Sequence, residues 1–270
     1  MCLGLAPYTR WSPYLEKCCL LVSANASYQR AAEDIHVLTG IRVSGSTQQR
    51  LVHRQAFEPE SVDCGIKEMS IDGGKVRLRT PLGQPSVWRD YKGVNLHQCA
   101  VSAFFRANDT LVDWVNQQPL ASPLVCLGDG HDGISNLFGQ IDSPCERLEI
   151  LDWYHLVENL GKVGGPQSRL DAIEARLWKG DLDEAVRLLC DSESDERVER
   201  FIAYLAKHRH RIVNYSYYQA EGISIGSGEI ESSIKQIGRR VKISGAQWKP
   251  DNVQQVLFQR CAYLNGVFST

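Results

Sequence analysis

The hydrophobic pattern changes its period along the chain, and this change constrains the fold more than any other feature. Apolar and polar residues alternate over 68–79 and 88–99, which is typical of β-strands, and we expect the Gly-Gly pair in the first segment to turn the chain between two strands. Residues 109–120 follow a helical period. Residues 123–130 predict a buried strand, and 148–160 a strand that continues as a helix. The order β-β-β-α-β-α-β-α predicts an α/β fold with helices on the faces of a mixed sheet.

Helical patterns precede this sheet. A first helix is indicated from Ser12, Ser27 and Gly40 mark the start and the end of a second, and Ser44 precedes a third, shorter one. A tight turn between two helices, of which the second carries Gln48 and Arg50 outward, is typical of a helix-turn-helix. Two packed helices of a small bundle are an alternative interpretation of this short motif.

The composition excludes several classes of protein. Apolar residues make up 43% and charged residues 23% of the 270 positions, which indicates a globular chain. We find no run of about 18 apolar residues, and the first residues lack the pattern of a signal peptide. The 32 acids and 30 bases argue against a generally basic coat protein for nucleic acid, although they do not exclude a local basic face.

The nine cysteines are typical of a reducing compartment. Their number is odd, none forms a C-x-x-C pair, and several lie inside apolar runs such as CCLLV and PLVCL. We therefore expect buried thiols, and neither a disulfide framework nor a cysteine zinc site.

Three acids occupy positions that suit a metal site. Asp72 follows an apolar strand pattern, Asp129 lies between two glycines at the end of the next buried strand, and Glu231 falls in the first turn of a helix after Gly-Ser-Gly. Singly, each has a structural explanation, because Asp suits turns and Glu suits a helix N-terminus. As a set at strand ends, their oxygens would hold a hard cation, most simply Mg²⁺.

Five stretches of the chain carry a family resemblance. They are SPYLEKCCLLVSANASYQRAAEDIHVLTG, SIDGGKVR, LGDGHDGI, ILDWYHLVENL and GSGEIESSIKQIGRRVKISGAQW. The last is the most specific, since it combines GSG-x-x-ES with a basic helix and G-x-x-W. Over about residues 12–265 the chain resembles transposases of a bacterial insertion-sequence group, the Kra family of DDE transposases.

The resemblance implies a ribonuclease-H-like core and a catalytic, metal-binding triad of Asp72, Asp129 and Glu231, with Glu229 as the second choice for the glutamate. It implies two Mg²⁺ or Mn²⁺ ions, cleavage at the ends of the element and transfer of the freed strand into target DNA. A nuclease or resolvase on the same fold is one alternative. An inactive, DNA-binding remnant of a transposase is another.

The resemblance also suggests four segments. Residues 1–58 form the N-terminal helical, helix-turn-helix-like segment, and 59–164 the first part of the catalytic core. Residues 165–221 form an α-helical insertion, of which 166–200 contain ten acids and six bases, and 222–270 return to the core with the last catalytic helix. Members of the family tend to be longer at the N-terminus, so the resemblance implies a truncated copy.

Further residues are expected near the DNA. Asp152 and His155 resemble the D-x-x-H signature of related transposases and would lie beside the active site; alternatively, Asp152 caps a helix on which His155 packs. The partners implied are the element ends, target DNA and a second copy of the chain in a homodimer or larger assembly, with no membrane, in the cytoplasm and nucleoid of a bacterium. The residues expected to contact DNA are Trp153, Lys235, Arg239, Arg240, Lys242 and Arg50.

Overall fold

A five-stranded mixed sheet lies at the centre of the molecule. The computed structural model describes residues 11–141, 147–191 and 195–268. The sheet order is β3-β2-β1-β4-β5, in which β2 is antiparallel to β1 and β3, and β4 is parallel to β1 and β5. The α/β class and the mixed sheet expected from the sequence are confirmed. The strands are β1 (Ile66–Leu78), β2 (Val87–Leu96), β3 (Ala100–Phe104), β4 (Leu120–Gly128) and β5 (Arg147–Leu151).

Helices cover both faces of the sheet. Helices α4 and α5 share one apolar core with the sheet, and α11 and α12 share another. No helix in the described ranges is both long and apolar enough to cross a membrane. The helices are α1 (Pro13–Ser23), α2 (Tyr28–Thr39), α3 (Gly45–Arg54), α4 (Asn108–Asn116), α5 (Asp132–Phe138), α6 (Trp153–Gly161), α7 (Gln167–Trp178), α8 (Leu182–Cys190), α9 (Glu196–Lys207), α10 (Tyr215–Ala220), α11 (Gly228–Val241) and α12 (Pro250–Leu264).

The N-terminal helices pack against the core. Ser27 and Ser44 cap α2 and α3 through their hydroxyl oxygens, and Gly40 ends α2 in the left-handed conformation, as the sequence indicates. Gln48, expected to face outward, is instead fully buried, whereas Arg50 is exposed. The reason is packing: α1, α2 and α3 form one apolar cluster with α12, which leaves only one side of α3 for solvent.

Helices α7 to α10 lie between α6 and α11 in the chain and form a layer around an apolar core. They lie where the sequence predicts a helical insertion. Their core includes Ile173, Leu189 and Phe201, and it continues into the sheet through Leu151. The insertion is therefore packed against the sheet and extends its apolar core.

The expected turn at Gly73 and Gly74 was wrong. Strand β1 runs straight through both glycines, and Gly74 pairs with Tyr91 on β2. A Cβ atom at Gly74 would lie 2.1 Å from the Cζ atom of Tyr91, so the buried Tyr91 ring occupies the space of the missing side chain. Glycine at this position allows the two strands to pack closely. In the sequence, a Gly-Gly pair with this role cannot be distinguished from one that forms a hairpin turn. The third strand is Ala100–Phe104, whose residues are all buried and do not alternate.

The prediction of buried thiols was right for three cysteines and wrong for others. Cys19, Cys126 and Cys261 are buried, whereas Cys18 is only partly buried and Cys190 is exposed. Cys64 and Cys99, however, are joined by a disulfide bond. Cys64 precedes β1 and Cys99 follows β2, and the antiparallel pairing of these strands brings both residues to one end of the sheet.

A glycine substitution tests the packing of Tyr91. Gly74→Ala should lower the free energy of unfolding by about 1–3 kcal/mol, because the methyl group overlaps the ring. Gly73→Ala is the matched control, since its Cβ would meet no atom nearer than Lys92 Nζ at 3.7 Å. Urea unfolding of the two variants gives the comparison. Equal stability of both would show that the ring does not lie over Gly74.

Candidate metal centre

Asp72 and Asp129 lie side by side on neighbouring parallel strands. The register of β1 and β4 pairs Ser70 with Leu127, and Asp72 and Asp129 stand two residues beyond this pair. Residues that are level on adjacent strands point to the same face of a sheet, so the two carboxyl groups share one face. The expectation of two aspartates at strand ends was wrong for Asp72, which lies inside β1 because the strand continues through Gly73 and Gly74, whereas Asp129 directly follows β4.

Asp152 continues the same row directly after the end of β5. The register of β4 and β5 pairs Gly128 with Leu151, so Asp152 is level with Asp129. Its backbone N–H donates to the Gly128 carbonyl at 2.9 Å, which extends the alignment past the last strand pair. The sequence pattern placed Asp152 near the site but did not place it in this row.

Glu231 reaches the row from helix α11. Asp152, His155 and Glu231 offer ligand atoms that lie within 4.8 Å of one another, a group that could hold a metal ion. Glu231 also forms an ion pair with Lys235 at 3.3 Å. Glu229 faces elsewhere, since its carboxylate lies 3.8 Å from His97 Nδ1. Of the two glutamates considered from the sequence, Glu231 is therefore the one at the site.

The Asp152 carboxylate is buried and fully engaged. It accepts hydrogen bonds from the Ser227 N–H, from Ser227 Oγ at 2.5 Å and from the His155 N–H at 2.7 Å. Burial alone would raise its pKa, but the contacts with His155 and Ser227 outweigh it and lower the pKa to about 2. Asp152 thus caps α6, as one of the two interpretations of the sequence has it, and it also ties α6 to the start of α11.

His155 is the cation of this cluster. Its Nδ1 atom lies 3.2 Å from Asp152 Oδ1, an ion-pair distance at which the N–H is poorly aligned for a hydrogen bond. The contact with Asp152 raises the pKa of His155 to about 9 against the effect of burial, and the charges of Asp129 and Glu231 act in the same direction. His155 is therefore an imidazolium at neutral pH. Because an imidazolium has no lone pair for a metal, a metal ion on His155 would have to displace a proton.

The pKa of Asp72 is raised by burial and by the charges of nearby carboxylates. Burial raises its pKa most, the Gly73 N–H lowers it, and the negative charges of Asp129 and Glu231 raise it again. A divalent cation would relieve this repulsion, and carboxylate oxygens are the ligands that Mg²⁺ and Mn²⁺ take. The residues of the predicted triad therefore fit a hard metal ion.

Two sets of ligands thus compete at one site. The ligand atoms of Asp72 and Asp129 do not belong to the compact group of Asp152, His155 and Glu231, which among the described residues is the set that satisfies a 4.8 Å limit. Asp152 and His155, however, already neutralise each other. The carboxylates of Asp72, Asp129 and Glu231 are less committed, since each uses one oxygen for a single N–H or ammonium donor. Among the described residues, Asp152, His155 and Glu231 remain the group whose ligand atoms are close enough to hold one metal ion.

Two residues expected to contact DNA are buried instead. Trp153 is 8% exposed, with its ring centroid 4.8 Å from those of Trp178 and Tyr215, so it belongs to the core of the insertion. Arg240 is 1% exposed and donates through Nε to the Ser23 carbonyl at 2.7 Å. Both positions were wrong as contacts with DNA, because packing partners distant in the sequence cover them.

The remaining cations expected to contact DNA lie at the surface. Lys235, Arg239 and Lys242 are exposed on or just beyond α11, and Arg50 is exposed on α3. Side chains at these exposed positions could contact phosphates. The buried side chain of Arg240 could not.

An exposed aromatic residue, which no sequence pattern predicted, lies beside the site. Tyr154 follows the buried Trp153 and is 64% exposed. A Cβ atom at Gly226 would lie 2.6 Å from its ring, so the tyrosine stands against the segment that leads into α11. Trp153 and Tyr154 are neighbours on a helix, where only one of them can face the core. The sequence does not indicate which of the two faces the core.

The fold and the site together define an α/β protein with a row of aspartates on a mixed sheet and a glutamate brought to it by a helix. Comparison with models of known protein families found no match, and comparison with curated proteins found none either.

The charge on His155 gives a pH-dependent prediction. Since folding raises its pKa, its contribution to stability is complete below the unfolded value of about 6.5 and is lost as the pH rises through about 9. Relative to His155→Gln, the wild type should be more stable by about 1 kcal/mol near pH 6, a value reduced for the partly exposed side chain, and this advantage should vanish above pH 9. Urea unfolding across this range measures it.

An NMR titration of the imidazole provides the control. In Asp152→Asn the pKa of His155 should fall toward its ordinary value, because its principal partner has lost its charge. A wild-type His155 that titrates near pH 6.5 would contradict the charge assignment.

Proposed function

We propose that the protein is a DNA transposase that cleaves and joins DNA with bound divalent metal ions. The observation that carries the proposal is the row of Asp72 and Asp129 on adjacent parallel strands, with Glu231 supplied by a helix more than a hundred residues later. Acids brought together from such distant positions, in a place where their charges repel, fit a site whose stable state includes cations.

The topology supports a ribonuclease-H-like core for this activity. Three antiparallel strands followed by two parallel ones, in the order β3-β2-β1-β4-β5, are compatible with that fold. The resemblance of five sequence stretches to Kra-family transposases points in the same direction. Topology alone would suit many activities, so the site carries more weight than the fold.

The carboxylates of Asp72, Asp129 and Glu231 would hold Mg²⁺ or Mn²⁺. Two such ions, when bound, supply an activated nucleophile and stabilise the leaving oxygen of a phosphodiester. Asp152 fixes the start of α11 through Ser227 and so holds Glu231 toward the sheet. His155 holds a proton and a positive charge beside the carboxylates, where it partly balances them before a metal binds.

The protein surface around the site suits a DNA strand. Lys235, Arg239 and Lys242 would pair with phosphates along α11, and such pairing weakens as salt rises. The exposed ring of Tyr154 would stack on a base next to the reacting phosphate. The N-terminal helices with Arg50 would contribute a further contact. We propose the bacterial nucleoid as the place of action and a homodimer, or a larger assembly, as the form that pairs two element ends.

Removing single carboxylates tests the proposal. Asp72→Asn and Glu231→Gln should each reduce metal-dependent cleavage and strand transfer by about 100-fold or more, since even residues behind a metal ligand contribute up to that much. Neither variant should be less stable than the wild type, because each removes a charge from a crowded cluster. The assay uses a supercoiled plasmid that carries the DNA ends flanking the gene, with Mg²⁺ or Mn²⁺.

Glu229→Gln is the matched control. It makes the same change in the same helical turn, but its side chain is directed toward His97, so activity should persist. Undiminished activity in Asp72→Asn would refute the mechanism. Nicked products without joined strands would favour the nuclease or resolvase instead, and DNA binding without any cleavage would favour an inactive remnant.

A further inference from the structure

A cavity lies at the far end of α11 from Glu231. Its volume is about 340 Å³, and it is bounded by the start of α2, the end of β1, the loop between α11 and α12, and the first turn of α12. This volume is at the small end of the range for ligand sites in proteins. The lining residues that matter for its chemistry are Tyr28, Arg79, Arg240, Trp248, Lys249 and Asn252.

The wall of this cavity is fixed by backbone pairing. The Trp248 N–H donates to the Arg77 carbonyl at 3.0 Å, and the Arg79 N–H donates to the Trp248 carbonyl at 2.8 Å. The indole Nε1 of Trp248 donates to the Val241 carbonyl at 2.9 Å, which ties the loop back to α11. The cavity is therefore formed before any ligand arrives, and binding would cost little ordering of the loop.

The charged side chains that line the cavity are all positive among the described residues. Arg79, Arg240 and Lys249 line it, and no acid lines it among the described residues. The Arg240 guanidinium carbon lies 4.9 Å from the ring centroid of Trp248 and 5.1 Å from that of Tyr28, which hold it in place. Helix α12 begins beside Lys249 with no side-chain cap, so its N-terminus adds further positive potential.

Arg240 also adds a buried positive charge behind this wall. Its side chain is almost completely buried, Nε donates to the Ser23 carbonyl, and the guanidinium interacts with the Tyr28 hydroxyl. A buried charge is unfavourable unless it is balanced. An oxyanion in the cavity would balance this charge while the exposed Arg79 and Lys249 contact it directly, and a guanidinium fork such as that of Arg79 matches the oxygens of phosphate.

We propose that this cavity binds a phosphate group. The phosphate belongs either to a nucleic-acid strand, in which case this part rests on the proposed function, or to a free phosphate or nucleotide. The site is separate from the carboxylates: Arg240 follows Glu231 by nine residues, roughly 14 Å along the helix and on its opposite side. Its chemistry requires no metal ion.

Calorimetric titration of the full chain without divalent metal tests the proposal. The probes are inorganic phosphate, a 5′-mononucleotide and a short single-stranded oligonucleotide. The wild type should bind at least one of them, and the double variant Arg79→Gln, Lys249→Gln should bind it about tenfold or more weakly. Arg240 is left unchanged, because its burial makes a folding defect a competing explanation. The control is Lys75→Gln, Arg89→Gln, which removes the same charge from exposed positions outside the cavity.

The outcomes separate this proposal from the proposed function. Preference for the oligonucleotide supports a nucleic-acid phosphate, and preference for phosphate or mononucleotide supports a small ligand. Failure to bind all three at millimolar concentration overturns the proposal, as does equal weakening in both double variants, which would indicate a general charge effect. If binding is specific but the wild type neither cuts nor joins DNA, the cavity stands and the proposed function fails.

Discussion

The buried carboxylate of Asp152 is the contact on which the arrangement of the site depends. It joins the end of β5 and the start of α6 to Ser227, 75 residues later, immediately before α11. A buried charge is costly unless it is hydrogen-bonded, and Asp152 meets this condition with donors from both segments. Because α11 begins at this contact, the same interaction that caps α6 also determines how Glu231 approaches the row of aspartates.

The local patterns predicted most of the elements but not all their connections. Serine caps and left-handed Gly40 define α2 and α3 within a few neighbouring residues, so their positions could be predicted from the sequence. The Gly73–Gly74 pair could not, since its conformation depends on the Tyr91 ring of another strand. The same limit applies to the pairing of Cys64 with Cys99, which the register of β1 and β2 brings about.

In the candidate site, too, some residues could be predicted from the sequence and others could not. Asp129 could be predicted because it follows an apolar strand pattern and β4 ends just before it. Asp72 was expected at a strand end as well, but it lies inside β1 and is level with Asp129 only through the register of β1 and β4. That Asp152 is level with both follows from the register of three strands and has no local signal. For Trp153 and Arg240, residue type suggested a surface role, but distant aromatic partners bury both side chains.

Helix α11 connects the two charged regions while keeping them apart. Its first turn brings a carboxylate to a site that is already rich in negative charge, whereas its last turn buries a guanidinium in a cavity lined by cations. Each region alone is electrostatically unfavourable, and each would be relieved by a ligand of the opposite sign, a metal ion at one end and an oxyanion at the other. Since the two ends lie on opposite sides of the helix, either ligand could bind without the other. A near-neutral net charge for the whole chain is therefore compatible with two regions of opposite charge at the two ends of one helix.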